Sequence, residues 1–239
     1  AGAIIGPLSM SVILFFEGSY SLCFGILLIP AVCALSILAF AKVLYPRPQD
    51  LEISNPELNA EGFSKRYWLY IAAISLVAAG YVDFTLIAYH FQKNQLVPIV
   101  WIPIFFAITM GSAGLSSLIF GRLYDLLGIG ILSHITALAS FAVPLAFFDG
   151  FYLALVGMVL WGFGIGAQES IMRAVIAQMT PMDKRGTAYG FFNMWFGISW
   201  FAGSALMGFL YDYSAVYVVI VSMTLQLAAC ILFYKISNN

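Results

Sequence analysis

Charge is what this chain most lacks. Only 9% of its 239 residues are Asp, Glu, Lys or Arg, while 62% are hydrophobic. Soluble domains carry about 25% charged and roughly 45–50% apolar residues. So little charge cannot cover a water-facing surface, and a mean hydropathy of +0.97 points to a polytopic membrane protein. A basic excess is missing too. Ten Lys and Arg face eleven Asp and Glu, and the net charge of −1 excludes a general nucleic-acid footprint. Cysteine is rare: Cys23, Cys33 and Cys230 all lie in apolar segments and read as packing residues, not as a disulfide framework. The two histidines, His90 and His134, sit in different segments. No H-E-x-x-H, G-x-S-x-G or cysteine-based metal spacing occurs, so nothing points to an enzyme, and no cofactor or metal is expected. No basic leader with a cleavage site opens the chain, which begins at Ala1 inside an apolar run. That start suggests an N-terminal truncation.

Long apolar runs fill the rest. A bilayer-spanning helix needs about 20 apolar residues. Eight candidates meet or approach that length: roughly 1–17, 21–44, 67–91, 97–120, 129–148, 151–178, 186–211 and 215–235. The runs are continuous, not alternating, which predicts helices over strands. Most connections are short: Glu17-Gly18-Ser19-Tyr20, Asp149-Gly150 and Tyr213-Ser214. One is long and polar. From Tyr45 to Arg66 it holds Pro46, Pro48 and Pro56 and the acids Asp50, Glu52, Glu57 and Glu61, the composition of an exposed linker with room for a short surface helix. If the linker is cytoplasmic, so are Lys42, Arg47, Lys65, Arg66, Arg122, Lys184, Arg185 and Lys235, against Lys93 alone outside. This bias predicts a cytoplasmic C-terminus and supports eight crossings.

The most informative stretch is Trp161 to Asp212, two glycine-dotted apolar segments around the charged turn Asp183-Lys184-Arg185. Three glycines there, Gly162, Gly164 and Gly166, superficially suggest a phosphate loop, but no strand precedes them. Close helix contact or a bend is the better reading, and it extends to Gly186, Gly190, Gly203 and Gly208.

Six helices after a cytoplasmic linker, with short loops, resemble the C-terminal half of a major facilitator superfamily transporter. Three motifs carry the resemblance. Gly121-Arg122-Leu123-Tyr124-Asp125-Leu126-Leu127-Gly128 resembles the core of that family's signature loop, with Leu126 where a basic residue is usual and no basic pair after Gly128. Lys184-Arg185-Gly186-Thr187-Ala188-Tyr189-Gly190 is similar to the R-G-x-x-x-G run entering the fifth helix of a half. Gly2-Ala3-Ile4-Ile5-Gly6-Pro7 resembles the antiporter-associated G-x-x-x-G-P, without its trailing glycines. The resemblance implies an all-α membrane bundle that lacks the first four of twelve helices. Residues 1–44 would be the last two helices of the N-terminal bundle, 45–66 the linker, and 67–239 the C-terminal six-helix bundle. It also implies a multi-pass protein of the cell (inner or plasma) membrane, monomeric when complete.

Few residues can carry chemistry inside such helices, because a charge at the bilayer centre costs about 2.5–3.5 kcal/mol on insertion scales and tends to face a cavity or a partner. Asp83 lies about two-thirds along the third run, with His90 seven residues on, on the same helical face. Two readings of Asp83 stand: a carboxylate that exchanges protons or meets a cationic substrate, or one held by a hydroxyl or backbone group near the outer surface. His90, followed by Gln92, Lys93 and Asn94, reads as an interfacial residue or as part of the same site. Glu169 and Arg173 are four apart and can pair along a helix. The resemblance assigns Asp125, Arg173, Glu169 and Arg122 to a cytoplasmic gate; the alternative is a static ion pair. A further reading gives Glu169, with Gln168 beside it, direct contact with the substrate, and Asn193 is a candidate for either the cavity or an interhelical hydrogen bond.

These expectations converge on a secondary transporter of a small organic solute working by alternating access, with proton-coupled efflux suited to an aromatic, weakly charged cavity. Its partners would be the lipid bilayer, a small-molecule substrate and protons, with no nucleic acid. The rivals are a membrane receptor or scaffold that kept the fold without transporting, and an inactive fragment.

Overall fold

A helix in lipid must satisfy its own backbone, because the surroundings offer no hydrogen bonds. That pressure shapes the whole chain. The computed structural model describes residues 2–16, 20–44, 62–148 and 150–238. Ten α-helices and no strands occur among the described residues: α1 (Gly2–Phe16), α2 (Tyr20–Leu44), α3 (Lys65–Gly80), α4 (Phe84–Lys93), α5 (Trp101–Leu127), α6 (Ile131–Ala139), α7 (Ala142–Phe147), α8 (Phe151–Met179), α9 (Arg185–Tyr213) and α10 (Ala215–Asn238). The Glu17–Ser19 connection, Asp149 and most of the expected linker, residues 45–61, lie outside the described residues. Six helical runs among the described residues are long and apolar enough to cross a membrane. The protein is an integral, multi-pass membrane protein.

Three expected boundaries shift. The third run, expected as one helix over 67–91, is two: α3 stops at Gly80 and α4 starts at Phe84. Residues Gly121–Leu127, expected as a loop, form the last turns of α5; the chain turns only at Gly128, whose φ of 67° suits a residue without a Cβ. The run expected over 129–148 is divided at Ser140 and Phe141 into α6 and α7.

Small residues set the helix spacing. A Cβ on Gly162 would stand 2.5 Å from the Thr109 carbonyl oxygen, and one on Gly166 2.7 Å from that of Ala113, so α8 lies directly on α5. Gly157 brings α8 equally close to α7, where an added Cβ would stand 2.6 Å from the Ala146 nitrogen. Gly203 brings α9 onto α3, where a Cβ would stand 2.5 Å from Ala79 Cα. Gly190 and Gly208 make no such close contact: nothing lies within 4 Å of a Cβ at either. Without a hydrophobic force between helices in lipid, such close contacts supply the packing attraction.

Buried side chains gather in two clusters. One contains Tyr67, Tyr70 and Ile74 of α3 with Ile171, Met172, Val175 and Phe233. The other contains Tyr81, Val82, Ile87 and Phe91 with Phe105, Met158, Trp161, Met207 and Tyr211. The step from one to the other falls at the gap between α3 and α4. α1 packs on α5, where Ser11 donates to the Val100 carbonyl at 2.7 Å.

Candidate functional site

The gap at Tyr81-Val82-Asp83 frees backbone carbonyls within apolar surroundings, where each unbonded group is expensive. Side chains from two helices bond three of them. Ser222 donates to Gly80 O at 2.7 Å and Gln226 Nε2 to Val77 O at 3.3 Å, both from α10. Trp161 of α8 donates its indole N–H to Val82 O at 2.9 Å, and the Tyr81 hydroxyl donates to the Trp161 carbonyl. Gly80 permits this: a Cβ there would stand 2.8 Å from Leu225 Cβ and 3.2 Å from Ser222 O. Partners at three carbonyls from two packed helices mark the interruption as built, not frayed.

Asp83 occupies the N-cap of α4 but does not cap with its side chain. Its carboxylate turns to α9, accepting the Trp200 indole N–H at 2.6 Å and the Ser204 hydroxyl. Among the described residues it pairs with no base. It is partly buried and lines a hollow of about 300 Å³ with Thr85, Leu86, Tyr89, Ser204, Met207 and Gly208. A larger hollow of about 590 Å³ lies between α1 and α2 on one side and α4 and α5 on the other, lined by Gly6, Pro7, Tyr20, Thr85, Gln92 and Phe106 among mostly apolar side chains. Thr85 and Tyr89 line both hollows.

His90 is buried, beside the exposed Gln92, Lys93 and Asn94. Its Nδ1 lies 2.9 Å from the Tyr211 hydroxyl and 3.0 Å from Asn94 Nδ2, and its ring stacks on Phe147 at 4.2 Å. Asp83 and His90 therefore both address α9, the first at Trp200 and Ser204, the second seven residues further at Tyr211. Gln168 is also buried, and its Nε2 has no hydrogen-bond partner among the described residues. It faces a water-sized void shared with Thr136, Tyr81 and Gln226 beside the gap. Asn193 is exposed and makes no interhelical hydrogen bond among the described residues.

Arg122, Asp125, Glu169 and Arg173 are all exposed, on the neighbouring helices α5 and α8, and among the described residues no ion pair joins them. The four-residue spacing of Glu169 and Arg173 is realised within α8, but an exposed pair gains only about 0.3–0.5 kcal/mol, too little to hold two long side chains together. Hydrogen bonds to uncharged acceptors tie this end instead. Tyr124 donates to Gln178 Oε1 at 2.6 Å, Arg66 to Ile236 O at 3.0 Å and Arg185 to Ala177 O at 2.9 Å.

Trp161, Trp200, Ser204, Tyr211, Ser222 and Gln226 belong to the site without having been legible as such. In the sequence Ser204 is only a small residue next to Gly203. The one available signal was the four-residue spacing of Trp200 and Ser204, which puts two donors on one face of α9.

No solved structure matches this chain. An uncharacterized protein of Mycobacterium bovis, Mb2288, and one of Mycobacterium tuberculosis, Rv2265, are each 30% identical over 242 residues. The match covers 98% of this chain and 59% of each relative, so the chain spans well under two thirds of their length. The Major Facilitator Superfamily model matches residues 101–238. That match takes in α5 to α10, the helices that supply every partner of the α3–α4 gap and of Asp83, and the chain belongs to the Major Facilitator Superfamily.

Proposed function

We propose that this chain is part of a secondary transporter that moves a small organic solute by alternating access, driven by proton exchange at Asp83. One observation carries the reading: a carboxylate sits where a membrane helix is interrupted, borders a hollow, and meets only neutral donors. Two neutral donors leave the net charge in place, and a proton or a cation can offset it. Interrupted helices with the backbone exposed to a cavity are a recurrent way to build transport sites. The 590 Å³ hollow suits an amphipathic solute, which favours export of such compounds against protons.

The crossings fit this reading. Trp101–Phe147 holds 47 residues, about 70 Å of helix, more than twice the hydrocarbon thickness of about 30 Å. Read as two crossings that turn at Gly128, and with Gly2–Phe16 counted, the chain crosses eight times. The C-terminus is then cytoplasmic. The bundle from residue 67 onward is the second half of a twelve-helix protein, and residues 1–44 belong to the first. Arg122, Asp125, Glu169 and Arg173 form the cytoplasmic gate, pairing with the other half only when that side closes. Their exposure leaves them free to do so.

The test uses full-length protein in proteoliposomes with an imposed pH gradient and a panel of labelled amphipathic compounds. At least one compound should move with the gradient. Asp83→Asn should abolish gradient-driven flux of that compound while leaving its exchange across the membrane at equal pH. Unchanged gradient-driven flux in Asp83→Asn would remove Asp83 from coupling.

A further inference from the structure

Lys93, the last residue of α4, places its ammonium 5.1 Å from the centroid of the Tyr211 ring and 5.6 Å from that of Tyr89. The two rings meet edge to face, with centroids 5.7 Å apart at 70°. Both distances fall within the roughly 6 Å at which a cation is attracted to a ring face. Two tyrosines from different helices thus form an ammonium site that the protein's own lysine occupies. Tyr89 continues from that site into the hollow of about 300 Å³ that Asp83 lines. The other walls are Thr85, Leu86, Ser204, Met207 and Gly208, so no basic side chain lines it. Its size is at the lower end for a small-molecule pocket.

We propose that the hollow between α4 and α9 takes a small organic cation, a protonated amine or quaternary ammonium. Its charge lies against Asp83 and its apolar flank against Tyr89. Lys93 is a tethered occupant of the adjoining Tyr89–Tyr211 pair, displaced when a ligand enters. A neutral solute would leave the Asp83 charge uncompensated, and an anion would be repelled by it. This rests on the transport reading only in giving Asp83 contact with the solute.

The experiment measures saturable binding of labelled phenyltrimethylammonium to the full-length protein in nanodiscs. Lys93→Met removes the competing ammonium and should tighten binding by about two- to fivefold, while Lys93→Arg, which keeps a cation on the rings, should leave it near wild type. Tyr89→Ala should weaken binding by about fivefold, and Tyr89→Phe, which keeps the ring face, should not. No saturable binding to wild type, or a Tyr89→Ala affinity equal to wild type, overturns the proposal. If the cation fails to bind while Asp83→Asn still abolishes gradient-driven flux of another solute, the cation assignment falls and the transport reading stands. If the affinities follow the expected order while gradient-driven flux survives Asp83→Asn, the coupling reading falls and the cation site stands.

Discussion

Gly203→Ala is a one-carbon change that should disturb the site, because it falls on the face of α9 that carries Trp200 and Ser204. A Cβ there would stand 2.5 Å from Ala79 Cα and 2.7 Å from its carbonyl carbon. Carbon atoms rest at roughly 3.5–4.0 Å, so α9 must retreat by about 1 Å or more. The obstacle is backbone, which cannot swing aside. Trp200 lies less than one turn away, with Nε1 2.6 Å from Asp83. The same retreat would carry it to about 3.6 Å, past the range of a hydrogen bond. Overpacking of this kind costs about 1–3 kcal/mol, and a hydrogen bond to a charged group contributes about 1.5–3 kcal/mol. With about 2–4 °C per kcal/mol for a chain of this size, the unfolding midpoint of the purified protein should fall by about 5–24 °C. Controls sit on the same helix: Gly190 and Gly197 have nothing within 4 Å of an added Cβ. There the alanine should leave the midpoint unchanged or raise it, through up to about 1 kcal/mol of helix propensity. A Gly203→Ala midpoint matching that of Gly190→Ala would refute the close approach. A lowered midpoint with unchanged pH-driven flux would sever that approach from Asp83.

Two further predictions follow from other parts of the bundle. Under the proposed gate, Asp125→Asn should shift the accessibility of cysteines placed along α5 and α8 near Asp125 and Arg173 toward an inward-open pattern; an unchanged labelling pattern would remove Asp125 from the gate. Gln168→Leu replaces a buried amide whose Nε2 lacks a partner among the described residues, so it should be neutral or stabilising by up to about 1–3 kcal/mol. A midpoint lowered by several degrees would instead show that the adjoining void holds a water bonded to Gln168.

The resemblance to the superfamily was legible because it rests on composition and short local patterns. Scarce charge, glycine-rich apolar runs and the Gly121–Gly128 motif each report on surroundings that a linear chain cannot hide. Asp83 was legible for the same reason, since a carboxylate within an apolar run is conspicuous in any register. Its neighbours were not. Trp200 and Ser204 lie more than a hundred residues away, and nothing in their own segment distinguishes a donor to Asp83 from an ordinary packing residue. The partners of His90 were equally hidden, since Tyr211 and Phe147 of distant helices enclose its ring.

The interruption of the third run shows most clearly what each level decides. Residues 65–93 are apolar enough for one continuous helix, and local propensity gives Tyr81-Val82-Asp83 no proline with which to break it. The break exists because Ser222, Gln226 and Trp161 bond the carbonyls it frees, and those partners converge only once α8 and α10 pack around Gly80. Sequence alone therefore determined that the chain lies in a membrane, as helices, with an acid in one of them. Only the tertiary structure decided where that helix opens and what the acid touches, because backbone groups in lipid take whatever partners the neighbouring helices supply.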